Sequence, residues 1–171
     1  MNLIRTLTCR EGKVFSEDGR MWACRIGRAG VAAPGEKREG DLMTPSGNFS
    51  LRGCYYRPDR VTPPPVTALP LIALTPADGW CDDPAHPLYN QPVKLPFEGR
   101  HEKLWREDSV YDLIIPLGYN DGPIVPGAGS AIFLHLMRTD GVGTEGCVAI
   151  GRADLLELLA AVTAETRLLV K

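Results

Sequence analysis

Gly129-Ser-Ala-Ile-Phe-Leu-His-Leu-Met-Arg-Thr-Asp-Gly-Val-Gly-Thr-Glu-Gly-Cys-Val-Ala-Ile150 holds two short apolar runs joined by a loop with glycines at 141 and 143. The first run, Ala131 to Leu134, ends on His135, and the second begins at Cys147. Short apolar runs bounded by turn residues predict two strands, with the histidine and the cysteine at neighbouring strand ends. A free thiol titrates near pH 8.5 and is only a few per cent thiolate at neutral pH. A base beside it therefore matters, and His135 is the candidate. Against this stands the commoner fate of a cysteine in an apolar run, which is small core filler.

Working outward, the 171 residues suit one domain, 1–171, able to bury about 70% of its unfolded surface. Hydrophobic residues make up 44% and charged residues 23%, ordinary globular values, and the net charge of −2 argues against binding nucleic acid by phosphate neutralisation. Strand-like runs outnumber helical ones, and 18 glycines and 15 prolines favour a mainly β fold with long loops and one or two short helices. Five cysteines without CxxC spacing argue against a disulfide framework. Met1 to Arg10 has no apolar core of a signal peptide, and no run is long enough to span a membrane. The expected location is the cytoplasm, or the periplasm if this chain is cut from a longer precursor.

Along the chain, Leu3 to Thr8 and Gly12 to Phe15 read as a strand pair, and Met21 to Ile26 and Asn48 to Arg52 as further strands. Tyr111 to Ile115 reads as a buried strand leading into a turn at Asn120-Asp-Gly122. Ten of the fifteen prolines fall between Pro58 and Pro96, where missing donors make a packed multi-stranded sheet improbable. One strand, Leu69 to Leu74, fits there, and the rest of 58–100 reads as a loop excursion pinned by aromatics. It is either an inert insertion or a cap over a cleft. Cys81, Asp82, Asp83, His86 and His101 match no metal-ligand spacing, so neither a metal nor a cofactor is expected. Arg152 to Val162 places apolar residues at 155, 156, 159 and 162 on one helix face, and Thr166 to Val170 reads as a closing strand.

The Gly129–Ile150 stretch resembles the active-site segment of the YkuD-type L,D-transpeptidases, whose signature is a histidine, a variable loop, then Ser/Thr-His-Gly-Cys. His135, Thr144, Gly146 and Cys147 match it, while Glu145 stands in place of the second histidine and Ala149 where Asn or Arg is common. Gly35 to Phe49 and Tyr111 to Asn120 resemble family segments in the same order. The resemblance implies a YkuD-like β-sandwich with the proline-rich excursion capping the cleft. It implies Cys147 as nucleophile and His135 as base, oriented by the backbone carbonyl of Leu136. The backbone N–H groups of Gly146 and Cys147 are the expected oxyanion donors. Arg138, Thr144, Glu145, Tyr119 and Asn120 are the expected substrate-binding residues; Arg138 suits a substrate carboxylate.

The implied substrate is a peptidoglycan stem peptide or muropeptide, cut at the L-to-D amide between the third residue, often diaminopimelate, and a terminal D-Ala. Water as acceptor makes an L,D-carboxypeptidase for muropeptide recycling; an amine makes an L,D-transpeptidase. The alternative is a catalytically degenerate module that binds peptidoglycan peptides. Oligomeric state is not legible in the sequence.

Overall fold

The computed structural model describes residues 3–171. Met1 and Asn2, where the signal-peptide reading begins, lie outside the described residues. Among the described residues, fifteen strands and one helix follow in order. These are β1 (Ile4–Arg10), β2 (Lys13–Ser16), β3 (Met21–Arg25), β4 (Val31–Ala32), β5 (Thr44–Pro45), β6 (Gly47–Ser50), β7 (Cys54–Tyr56) and β8 (Leu71–Ala73). Then come β9 (Asp78–Cys81), β10 (Pro92–Lys94), β11 (His101–Lys103), β12 (Leu113–Pro116), β13 (Phe133–Leu136), β14 (Val148–Ile150), α1 (Arg152–Leu159) and β15 (Val162–Val170). The fold is mainly β. No helix among the described residues is long and apolar enough to cross a membrane.

Ten strands form one ladder in the order β6-β15-β1-β2-β3-β14-β13-β12-β7-β8. In the first half the pleat shows: β3 alternates exposed and buried positions, sending Trp22 and Cys24 inward. In the second half β12, β13 and β14 are buried at every position, which is why they read as unbroken apolar runs. Ile4, Leu7 and Leu168 from one half pack in the same core cluster as Leu113, Ile115 and Leu134 from the other. The ladder thus curls over one apolar core, where each such side chain contributes about 1.5–3 kcal/mol by leaving water. The helix α1 adds Leu155, Leu158 and Leu159 to that core.

Two expectations are corrected. The helix stops at Leu159 rather than Val162, because Val162 is already the first residue of β15, in parallel register with Ile4. And the proline-rich excursion does build a sheet, in the order β10-β9-β11, whose strand β11 lies just past residue 100. Its prolines avoid the ladder: the central strand Asp78–Cys81 has none, and Pro92 is the first residue of the outer strand β10, where a missing donor costs little. This sheet is fixed to the main one by Trp80, which meets Phe133 of β13 edge-on at 5.0 Å between centroids.

Candidate active site

β13 and β14 run parallel, with His135 opposite Ala149. His135 therefore sits inside β13, and Cys147 is the residue just before β14. Both line one cavity of about 390 Å³. Cys147 is 8% exposed and His135 5%, so both are largely withdrawn from water at the cavity wall.

The imidazole is fixed in one tautomer. A carbonyl only accepts, so the 2.8 Å contact between His135 Nδ1 and the Leu136 oxygen makes Nδ1 the protonated nitrogen. Nε2 is left as the basic one. The ring is held edge-on by Tyr111 at 5.4 Å. Burial pulls the imidazole down to about 4, so it is neutral at physiological pH. The same burial, helped by the negative Glu102, pushes the Cys147 thiol up to about 12. Its Sγ accepts from the Phe133 N–H at 3.3 Å and donates to the Ala131 carbonyl at 3.2 Å.

That carbonyl belongs to a residue in left-handed backbone: Ala131 has φ of 53°. Such a conformation in a non-glycine residue is uncommon and needs outside support. Asn90, in the excursion, supplies it. Its Oδ1 accepts from the Ala131 N–H and from Trp80 Nε1, each at 3.0 Å. Its Nδ2 donates to the carbonyls of Tyr119 at 3.1 Å and Asn120 at 2.8 Å. Next to it, the Tyr89 hydroxyl accepts from the Gly129 N–H at 3.0 Å and donates to Glu39, which also accepts from Ser130 Oγ at 2.7 Å. The excursion thereby clamps residues 129–131, the lead-in to β13.

On the other flank the loop before Cys147 is wound by Thr144. Its hydroxyl donates to the Cys147 carbonyl at 2.6 Å and accepts from the Gly146 N–H at 3.1 Å. Gly146 has φ of 143°, and a Cβ there would lie 3.0 Å from the Met43 carbonyl, so glycine is required. These bonds bear on the expected site residues. The Gly146 N–H is committed to Thr144, leaving the Cys147 N–H as the remaining one of the two expected oxyanion donors. Thr144 lines the cavity, and its hydroxyl bonds to backbone and shapes the turn. And Tyr119 and Asn120 stand outside the cavity: Tyr119 donates to the Ala128 carbonyl at 2.6 Å, while Asn120 caps its own loop through Val125 and Gly129. Arg138 and Glu145 do line the cavity, paired with Asp140 at 2.6 Å and Arg28 at 3.0 Å and largely exposed.

Sequence reasoning missed the cavity's other polar wall. Lys37 is 4% exposed, its Nζ on Asp41 and the Arg38 carbonyl. Glu102 of β11 accepts from the Tyr111 hydroxyl at 2.8 Å, and burial raises its carboxyl to about 7. Asp82 and Arg106 join from the excursion and the loop after it. None lies near His135 or Cys147 in the chain, so no local signal could have found them. A second cavity, of about 330 Å³, shares Ile132 with the first.

A thiol, a basic imidazole nitrogen and a backbone donor around one cavity are the parts of nucleophilic acyl transfer. Among solved structures, the chain is similar to the crystal structure of Mycobacterium tuberculosis L,D-transpeptidase 1. The identity is 10% and the TM-score 0.42, over 99% of this chain and 61% of that one, so this chain spans under two thirds of that structure's length. No curated protein matches the sequence. The family model for the L,D-transpeptidase catalytic domain matches residues 5–170, nearly the whole chain, and the protein belongs to the YkuD family.

Proposed function

We propose that the protein is a cysteine-dependent acyltransferase acting on peptidoglycan stem peptides, cleaving the L-to-D amide before a terminal D-Ala. The observation that carries this reading is the shared cavity of Cys147 and His135, with Nδ1 of His135 committed to Leu136 and Nε2 left basic. Family membership supports peptidoglycan peptides as the substrate class.

In this mechanism Cys147 Sγ attacks the carbonyl carbon of the third residue while His135 Nε2 takes the thiol proton. The tetrahedral oxyanion meets the Cys147 N–H, a donor of the kind worth about 3 kcal/mol. The carbon–nitrogen bond then breaks, and His135 returns the proton to the departing D-Ala amine. A thioester remains, which water or an amine opens. The timing of the first step follows from the two pKa values. With burial pushing the thiol up to about 12 and the imidazole down to about 4, neither group is ionised in the empty site near neutral pH. The resting pair is therefore neutral, and deprotonation accompanies attack rather than preceding it.

Water is the acceptor we favour. A cavity of about 390 Å³ is at the small end of the range for ligand sites, enough for one peptide end. Hydrolysis would make the enzyme an L,D-carboxypeptidase for muropeptide recycling in the cytoplasm. The second cavity, sharing a wall at Ile132, favours the other reading, in which an amine-bearing chain is seated there and crosslinked.

Incubation with muramyl tetrapeptide, with and without an amine acceptor, separates the two by mass spectrometry. Free D-Ala plus tripeptide means hydrolysis, and a new amide means transfer. A carbapenem tests the nucleophile: meropenem should add its intact mass to the protein, and Cys147→Ala should abolish the adduct. No adduct together with retained stem-peptide binding would instead mark a catalytically degenerate binding module.

A further inference from the structure

Four carboxylates line the cavity: Glu39, Asp82, Glu102 and Glu145. Three are occupied by protein. Asp82 pairs with Arg100 at 3.1 Å and Glu145 with Arg28 at 3.0 Å, and Glu39 is capped by the hydroxyls of Tyr89 and Ser130. Glu102 differs. One of its oxygens accepts from Tyr111, and the other takes no hydrogen bond among the described residues. It has no cationic partner there either. Arg106, the cation whose charge bears most on it, has its guanidinium turned to Asp108, with Nε at 2.9 Å and Nη2 at 2.6 Å.

Glu102 is half-buried at the cavity wall, and a carboxylate partly withdrawn from water is normally paired, because its desolvation is otherwise uncompensated. A missing partner that faces a ligand cavity is supplied by the ligand. In the proposed reaction Cys147 bonds to the carbonyl carbon of the third stem residue, so that residue's side chain lies in the cavity beside the sulfur, where Glu102 is. We infer that Glu102 is the specificity-determining residue for a diamino acid at the third position, its carboxylate receiving the free side-chain ammonium of the acyl donor. This rests on the L,D-acyl-transfer reading and names which stem peptides that site takes.

The pairing also bears on the nucleophile. The charge on Glu102 is the second cause, after burial, that opposes the Cys147 thiolate. An ammonium seated on Glu102 cancels that charge, so a correct substrate eases the deprotonation its own cleavage needs. Because burial raises the Glu102 carboxyl to about 7, ammonium binding is coupled to loss of its proton. The charged and titratable groups facing it are Tyr111, Arg106, Asp82, Glu145 and Cys147.

The test compares two tetrapeptides, identical except that in one the third residue's side-chain amino group is replaced by hydrogen. With the wild-type enzyme, kcat/KM for D-Ala release should favour the amine-bearing peptide by about 10–100-fold, with most of the difference in KM. It should also rise with pH through about 7 for that peptide alone. In Glu102→Gln the preference should fall below about threefold and the rise should vanish, while Glu102→Asp should sit between. A wild-type preference near one, or a preference surviving in Glu102→Gln, overturns the inference while leaving the acyl-transfer reading standing. A Glu102→Gln loss equal for both peptides and confined to kcat assigns the residue to proton transfer instead and likewise overturns it. If the variants fail to fold by circular dichroism, the wild-type ratio decides alone. Release of D-Ala from neither peptide by the wild-type enzyme removes the parent reading, and this inference with it.

Discussion

His135 is held near 4 where the ordinary value is 6.5, and Glu102 near 7 where the ordinary value is 4.5, both by burial. Their effects on stability have opposite signs. Between pH 4 and 6.5 the unfolded chain protonates His135 while the fold keeps it neutral, so stability grows as pH rises. Between pH 4.5 and 7 the unfolded chain ionises Glu102 while the fold keeps its proton, so stability falls as pH rises. Each displacement is worth about 3 kcal/mol, so between about pH 4.5 and 6.5 the two nearly cancel. Removing one should expose the other. Thermal melts of Glu102→Gln should show the melting temperature climbing across that window, and melts of His135→Asn should show it falling. Parallel profiles for both variants and wild type would mean that neither group is buried in its stated form. Individual residues of the site were legible unevenly. Cys147, His135 and Gly146 announce themselves by type and spacing, whereas Asn90 and Glu102 look like ordinary loop polars until the excursion folds over them.

The strands of the excursion show how an element can hide from sequence and still govern the site. β10 and β11 have three residues each, too short for a period-two pattern, and the surrounding prolines point away from pairing. The strands of the main sheet, by contrast, were legible from alternation in β3 and unbroken apolar runs in β12 to β14. Within the small sheet, Gly79 of the central strand is crowded from both sides. A Cβ there would stand 3.1 Å from Leu95 Cδ2, 3.2 Å from the carbonyl of Glu102 and 3.4 Å from Val93 Cγ2. Contacts this tight force the neighbours apart, and overpacking of this kind costs about 1–3 kcal/mol. Gly79→Ala should therefore lower the melting temperature and also slow formation of the meropenem adduct, since the strand pushed aside carries Glu102 and supports Tyr111 and His135. Loss of stability with an unchanged acylation rate would uncouple this sheet from the site.

At the scale of the whole molecule the ladder depends on pairings between the two ends of the chain. β15 lies between β1 and β6, parallel to the first and antiparallel to the second, with Leu168 opposite both Leu7 and Phe49. Sequence reading found the closing strand but not its partners, because pairing between residues some 160 apart leaves no local trace. The same is true of the site: Lys37 and Glu102 reach the cavity, and Asn90 reaches Ala131 beside it, through the long-range fold and not through spacing. β6 passes this dependence on to the site. It carries Phe49, which meets Tyr119 edge-on at 5.7 Å, and it follows the 35–46 segment whose Lys37 lies against Gly129 and Gly146. Leu168→Ala leaves the backbone ladder intact and removes buried carbon, so it should cost about 2–5 kcal/mol yet permit meropenem acylation at low temperature. Deleting Arg167–Lys171 instead strips β1 and β6 of their common partner. Limited proteolysis of that variant should show cleavage in the 33–50 region, and the adduct should be lost even in the cold. Acylation of the truncated chain at the rate of Leu168→Ala would show that the site holds its shape without closure of the ladder.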